Sequence, residues 1–388
     1  MPPPYGLLLI SGNHTHQENY ARAFAADERC RLIGLVDEPD VSDRRCALNQ
    51  ELADELSIPH LNDLDAALAE EDVQIVCVCA EPERRGRLAA QSARAGKHIY
   101  VDKPLAASSE DAAEIARAVR ESGVFSQMFS LVRLPIARRA ERLIASGRLG
   151  RLIGLHADVT FAKGIAGTAN LSVARQESAE AGRLTFLDSK RELYCVGLYP
   201  LVLFQWLTRG SFHDVYATTA NYFFAEHQKN NVEDFSSLIL TMDDDVQATI
   251  TVGRTGWSTH PDFGIHQLHL VGSEQSVFLD AFRPRLEIYS DAPPWKQTET
   301  PHPEDPMGFW SSTTEAGGVE PKESWLTIEK PLQSDAAHFL DCIEVGTDSD
   351  VTAAVGAHVV DVIMAAYRSS SAREVVEITV ATANENVG

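Results

Sequence analysis

One stretch of this 388-residue chain gathers residue types that could do chemistry. In Gly96-Lys97-His98-Ile99-Tyr100-Val101-Asp102-Lys103-Pro104-Leu105-Ala106 an apolar strand delivers a lysine into a proline and then into a polar turn. Proline donates no ladder hydrogen bond and biases the preceding residue toward extended backbone, so the strand is expected to end at Lys103. Open α/β sheets bind their ligands at the carboxyl ends of the strands. An amine held there can orient a substrate hydroxyl or exchange its proton. The same residues also fit a plain strand end with a solvated lysine.

The elements that would position this amine read as alternating strands and helices. Gly6-Leu7-Leu8-Leu9-Ile10 is a short continuous apolar run, typical of a strand buried on both faces, and Leu32-Ile33-Gly34-Leu35-Val36 repeats it. Further runs at 73–79, 98–101 and 124–129 alternate with helical patterns at 17–26, 44–56, 63–70, 84–95 and 109–121. That alternation predicts a doubly wound parallel sheet. Beyond about residue 150, strand candidates at 151–161, 213–223, 235–242, 246–253, 266–271 and 276–279 follow one another with turns such as Asp243-Asp244-Asp245. This is the pattern of an antiparallel sheet in an α+β domain. A helix is expected over 190–208, with Pro200 inside it, and two more over 334–345 and 352–370. Residues 293–325 carry tryptophans at 295, 310 and 325 in a Pro/Ser/Thr/Gly-rich stretch, which reads as a docked arm.

Composition narrows the function classes. The chain is 44% hydrophobic and 23% charged, a globular balance with length for two cores. Its 34 Lys and Arg against 56 Asp and Glu leave a formal charge of −22, which repels phosphate backbones and anionic lipid. Neither nucleic acid nor membrane is an expected partner, and no apolar run approaches a spanning helix. Six cysteines, at 30, 46, 77, 79, 195 and 342, form no CxxC pair or zinc-like cluster, so a reducing, cytoplasmic setting and no metal are expected.

The order of these pieces resembles the Gfo/Idh/MocA oxidoreductases over nearly the whole chain. Residues 95–106 are similar to the family's AGKHV-x-x-EKPLA signature, with Asp102 for its glutamate. Gly147-Arg148-Leu149-Gly150-Arg151-Leu152 resembles the lead into its second domain, and Phe339-Leu340-Asp341-Cys342-Ile343 and Ala365-Ala366-Tyr367-Arg368-Ser369-Ser370 resemble its closing helices. The resemblance implies a Rossmann-type domain over 1–128 and a substrate-binding, oligomerising α+β domain over 129–388. That second domain would carry a large, mostly antiparallel open-faced sheet, with a C-terminal helix able to pack back on the first. It implies a homodimer or homotetramer formed through that sheet. The family's D-x-G-x-(H/Y) segment matches Cys195-Val196-Gly197-Leu198-Tyr199, with cysteine in place of the acid. Tyr199 would then face Lys103 and transfer the proton of a substrate hydroxyl that Lys103 orients. A lysine ammonium beside a tyrosine favours phenolate, which lowers a reference pKa near 10.

A dinucleotide fingerprint places G-x-G-x-x-G after the first strand, for a tight turn and close approach of backbone amides to pyrophosphate. This chain has Ser11-Gly12-Asn13-His14-Thr15-His16-Gln17, keeping only Gly12. Asn13, His14 and His16 are expected to line the cofactor cleft. Asp37, at the end of the second strand, is placed to bond the adenosine ribose and so favours NAD over NADP; Arg44 and Arg45 downstream keep NADP open. Ala80-Glu81-Pro82 ends the fourth strand and is expected, with Asp102 and Lys103, at the cofactor, while Gly86 takes the place of a family histidine.

In Asp188-Ser189-Lys190-Arg191-Glu192 the charged run reads as a solvated face, or, turned inward, as Lys190 and Arg191 gripping a substrate carboxylate or phosphate. Lys190, Arg191, Cys195 and Tyr199 are thus the candidate substrate residues. The implied activity is NAD(P)-dependent hydride transfer with a secondary alcohol or ketone of a sugar, cyclitol or related polyol. Two alternatives stand beside it: an altered member that senses a ligand or regulates a partner, and a lyase or glycosidase that uses bound NAD transiently.

Overall fold

The computed structural model describes residues 3–12, 16–39, 41–161, 167–173, 177, 183–185, 191–254, 264–280, 285–289, 323–326 and 333–379, with 285–289 and 323–326 described by their backbone. Asn13, His14, Lys190 and most of the 293–325 arm lie outside them.

The first half runs β1 (Tyr5–Ile10), α1 (His16–Ala25), β2 (Cys30–Val36), α2 (Asp43–Leu56), β3 (His60–Leu61), α3 (Leu64–Ala69), β4 (Ile75–Val78), α4 (Pro82–Arg94), β5 (His98–Val101), α5 (Ser109–Ser122), β6 (Ser126–Met128) and α6 (Pro135–Ala145). The strands form one parallel sheet in the order β3-β2-β1-β4-β5-β6, so the chain reverses its direction of travel between β1 and β4. A ligand crevice belongs at that switch point. Leu7 and Leu9 pack on one face with Phe24 of α1, whereas Leu8 and Ile10 pack on the other with Leu88 of α4, and all are fully buried. Burial on both faces is why β1 reads as an unbroken apolar run.

The second half runs β7 (Leu152–Phe161), α7 (Glu192–Cys195), α8 (Leu198–Thr208), β8 (Phe212–Ala220), α9 (Ala225–Lys229), β9 (Phe235–Met242), β10 (Gln247–Arg254), β11 (Gly264–Gly272), β12 (Ser276–Asp280), β13 (Arg285–Tyr289), β14 (Glu323–Leu326), α10 (Asp335–Val345), α11 (Ala353–Ala372) and β15 (Val376–Glu377). Among the described residues its sheet has the order β14-β13-β12-β11-β7-β10-β9-β8-β15, antiparallel except for the β7–β10 pair. Alternate residues such as Leu155, Val159, Leu240, Ile250 and Leu268 are buried under the helices. The opposite face carries His156, Thr249, Ile239 and Tyr216 in register across neighbouring strands, with Ile239 54% and Tyr216 37% exposed.

The helix expected over 190–208 is two helices. The break falls at Val196-Gly197, and Pro200 then sits in the first turn of α8, where no intrahelical partner for an N–H is lost. The two closing helices reach back to the parallel sheet. Phe339 and Leu340 of α10 join the core beside Phe24 and Tyr100, and Gly356 of α11 packs on Leu105 and Met128. No described helix is long and apolar enough to cross a membrane.

Candidate active site

The carboxyl edge of the parallel sheet holds Gly12 after β1, Asp37 after β2, Ala80-Glu81-Pro82 after β4 and Asp102-Lys103-Pro104 after β5. The Lys103–Pro104 peptide is cis. Lys103 is 8% exposed, and its Nζ donates to the Cys195 carbonyl at 3.1 Å and to Cys195 Sγ at 3.3 Å. It also lies 5.4 Å from the centre of the Tyr199 ring. Residues 92 positions apart thus meet at one point, because α7 and α8 set the second domain's Cys195 and Tyr199 against the end of β5. Gly197 makes the hinge between those helices workable, since a Cβ there would come within 2.4 Å of the Leu193 carbonyl oxygen.

Burial works against the Lys103 ammonium, but the facing Cys195, Tyr199 and Asp102 groups outweigh it and its pKa is raised. Tyr199 departs from expectation. Burial raises its pKa and exceeds the opposing pull of Lys103, so the lysine does not bring this phenol down toward neutrality. At neutral pH the pair is an ammonium beside a protonated phenol.

A cavity of about 310 Å³ opens beside this pair. His16, Tyr20, Tyr100 and Phe129 form walls, and Ser334 and Asp335 at the start of α10 close one end. Tyr100 donates its hydroxyl proton to Asp335 Oδ2 at 3.0 Å. Asp335 is half-buried with its carboxyl packed into the wall, and burial raises its pKa to about 7. His16 lines this cavity. Asp102 does not present a free carboxylate there. It is fully buried and held by His16 Nδ1 at 3.1 Å, by the Tyr20 hydroxyl at 2.7 Å and by Arg85 Nη2 at 3.2 Å. It supports the turn that carries Lys103.

The cofactor edge is tighter than its missing glycines suggest. A Cβ on Gly12 would stand 2.2 Å from the Cys79 carbonyl oxygen, so this glycine is required by the packing of the loop on β4. Gln17, at the third glycine position, is fully buried, and its Nε2 turns back to the Gly12 carbonyl at 3.4 Å. Asp37 sits at the expected end of β2, where its Oδ1 accepts from the Glu38 amide at 2.8 Å and from Arg84 Nη1 at 2.9 Å. Burial raises its pKa against the pull of Arg84. Arg84, at the start of α4, also pairs with Glu38 and Glu81. Pro82 opens α4 directly after Glu81, and the Ala80 carbonyl accepts from Arg85 Nε at 2.9 Å. Arg45 is 1% exposed and donates to Asn49 Oδ1 at 2.6 Å, so it is turned inward rather than toward a 2′-phosphate.

Of the charged run, Lys190 lies outside the described residues, and the two described members, Arg191 and Glu192, are buried rather than solvated. Arg191 is 7% exposed and pairs with Glu233 Oε2 at 2.8 Å and Glu177 Oε1 at 3.3 Å, with its guanidinium over the Tyr367 ring. This commits it to a buried network and away from a substrate. Glu192 is fully buried, and Arg254 Nε donates to its Oε1 at 2.6 Å. Arg84, Arg85 and Arg254 carry no signal in the sequence pattern, and Glu192 reads there only as part of a solvated run. The one available signal was the charged triplet itself, because charges can be buried when each has a partner.

Comparison with known proteins agrees with this fold. A family model described as oxidoreductase family, NAD-binding Rossmann fold, matches residues 9–129, and one described as GFO/IDH/MocA C-terminal domain matches 137–278. The 1,5-anhydro-D-fructose reductase of Ensifer adhaerens is 38% identical over 91 residues, 23% of this chain and 27% of that protein. The D-xylose dehydrogenase of Paenarthrobacter nicotinovorans is 28% identical over 126 residues, 32% of each chain. The matches thus span about a quarter to a third of the length of these curated relatives. Among solved structures, a levoglucosan dehydrogenase complexed with NADH and levoglucosan superposes with a TM-score of 0.73 at 15% identity, covering 97% of this chain and all of that one. GenD2 from gentamicin A biosynthesis, complexed with NAD, gives 0.69 at 22% identity, covering 98% and 97%. At such identities the likeness is one of fold.

Proposed function

The chain belongs to the Gfo/Idh/MocA oxidoreductase family, and from that premise we propose that it is a cytoplasmic NAD-dependent oxidoreductase acting on a secondary alcohol or ketone of a sugar, cyclitol or related polyol. The observation that carries this reading is the Lys103 ammonium set against Tyr199 at the carboxyl end of β5, with a cavity beside them. NAD, when bound, supplies or takes up the hydride. Gly12 at the turn after β1, Glu81 and Pro82 after β4, and Asp37 for the adenosine ribose would hold it. Asp37 favours NAD over NADP, and the inward turn of Arg45 removes one cation from the competition for a 2′-phosphate.

Lys103 stays charged throughout, so its role is to hold the substrate oxygen and stabilise negative charge on it. Tyr199, a protonated phenol, is set to give a proton to that oxygen during ketone reduction, and its conjugate base would take one back during alcohol oxidation. Nicotinamide absorbance with a panel of sugars, sugar acids and inositols, and of their keto forms, tests the reading. Turnover of at least one substrate is expected, and Lys103→Met should reduce kcat by about 10²-fold or more. Absence of turnover across the panel by folded protein with bound NAD would sink it.

The second reading, a ligand sensor that no longer transfers hydride, draws on Gln17 filling the third glycine position and Arg84 occupying Asp37. Cofactor titration separates the two: binding at micromolar NAD favours the enzyme, and none at millimolar favours the sensor. A lyase using bound NAD would show product without net NADH. The open face of the second sheet, with Ile239 and Tyr216 exposed, is our proposed surface for homo-oligomer formation, to be tested by the sedimentation mass of the native chain and of Ile239→Lys.

A further inference from the structure

Behind the Lys103–Cys195 contact lies a charge pair that the reaction above does not use. Glu192 stands one helical turn before Cys195, so the two share a face of α7. Arg254, the last residue of β10, donates Nε to Glu192 Oε1 at 2.6 Å. The other carboxyl oxygen, Oε2, is buried without a hydrogen-bond partner. Glu192 is closed off from solvent, whereas the Arg254 side chain keeps 28% of its surface exposed. With Nε engaged, the end of the guanidinium formed by its two Nη groups has no acceptor among the described residues.

The charges around this pair do not balance. The groups facing Glu192 are Arg254 from β10, Lys103 after β5, His227 of α9 with its Nε2 at 3.9 Å, and Glu233 ahead of β9. Glu233 is already committed to Arg191 and the Tyr367 hydroxyl. Lys103 also faces Asp102, whereas Arg254 has Glu192 as its carboxyl partner, and burial pushes that carboxyl up to about 7, so it is largely uncharged below neutrality. A guanidinium with a free Nη fork matches a carboxylate in shape and charge.

Building on the reading of Lys103 and Tyr199 as the reacting pair, we propose that Arg254, held in place by Glu192, is the specificity-determining residue for a carboxylate on the substrate, which makes that substrate a sugar acid or other polyol acid. Glu192 is the positioning residue.

The test is calorimetric titration of the full chain, saturated with NAD, with D-gluconate, with neutral sorbitol of the same chain length, and with sorbitol 6-phosphate. Gluconate is expected to bind about 10-fold or more tighter than sorbitol. Arg254→Gln should abolish that preference while leaving NAD affinity unchanged. Glu192→Gln should keep the preference and remove the weakening of gluconate binding between pH 6 and pH 8 that ionisation of Glu192 causes in the native chain. Equal binding of sorbitol and gluconate by the native chain, tighter binding of the phosphate, survival of the preference in Arg254→Gln, or no gluconate binding would each overturn the assignment. Because binding is read without turnover, a gluconate preference in a protein that transfers hydride in neither direction would refute the enzymatic reading and leave the carboxylate assignment to Arg254 standing.

Discussion

Arg85 of α4 is where the structure makes its most quantitative claim. The side chain is 1% exposed and ties three points of the carboxyl edge together: Nε to the Ala80 carbonyl at 2.9 Å, Nη1 to the Pro104 carbonyl, and Nη2 to Asp102 Oδ2 at 3.2 Å. Arg85→Met keeps the length and apolar stem of the side chain and removes all three donors. Unpairing one member of a buried ion pair costs about 3–5 kcal/mol, and each orphaned carbonyl roughly 1–3 kcal/mol more, with incomplete additivity. Asp102 keeps Tyr20 and His16, which offsets part of the loss. The expected destabilisation is about 4 kcal/mol, a large share of the roughly 5–15 kcal/mol that holds a typical domain folded. Urea unfolding followed by circular dichroism measures it, and amide exchange at β4 and β5 shows where the structure loosens. Arg85→Lys, which keeps the charge without the fork, should lose roughly half as much. A loss below about 1 kcal/mol for the methionine variant would refute the view that Arg85 anchors the turn carrying Lys103.

Three further outcomes follow from packing and charge. Gly12→Ala puts a Cβ 2.2 Å from a backbone oxygen that cannot swing away, so it should cost about 1–3 kcal/mol and weaken NAD binding at least several-fold, read by melting and cofactor titration. Burial lowers the His266 pKa to about 4 from 6.5, so the unfolded chain binds the extra proton between those values. Stability should therefore fall by about 3 kcal/mol as pH drops through that window, and His266→Gln should flatten this slope in urea titrations at pH 4.5 and pH 7. Asp335 has the opposite sign: its folded pKa of about 7 lies above 3.8, so its contribution is present at low pH and lost as pH rises through neutrality. Asp335→Asn should stabilise the protein by roughly 2–4 kcal/mol at pH 8 relative to its effect at pH 4.

Much of the architecture was legible in the chain itself, because strand burial and helix amphipathicity are local patterns. Leu7 to Ile10 are apolar without interruption because both faces of β1 are covered, and the turn at Asp102-Lys103-Pro104 ends a strand for reasons of proline geometry that need no tertiary context. The Cys195-to-Tyr199 segment could be aligned with Lys103 through its resemblance to a family. Its division into two helices at Gly197 could not, since the demand for glycine arises from the Leu193 carbonyl folded against it.

Charge was the property that position in the chain did not decide. Arg191 pairs with Glu233 42 residues later, Glu192 with Arg254 62 residues later, and Asp37 with Arg84 47 residues later. No periodicity connects such partners, so a charged triplet looks solvated until the fold brings in its counter-ions. The same holds for Tyr199, whose neighbour Lys103 predicted a lowered pKa and whose burial raised it. The amino-acid sequence by itself determined the two sheets and the lysine at the edge of the first. Only the tertiary structure decided which ionisable groups are buried, which are paired, and hence which remain to meet a substrate, because desolvation and long-range pairing depend on what surrounds a group and not on its neighbours in the chain.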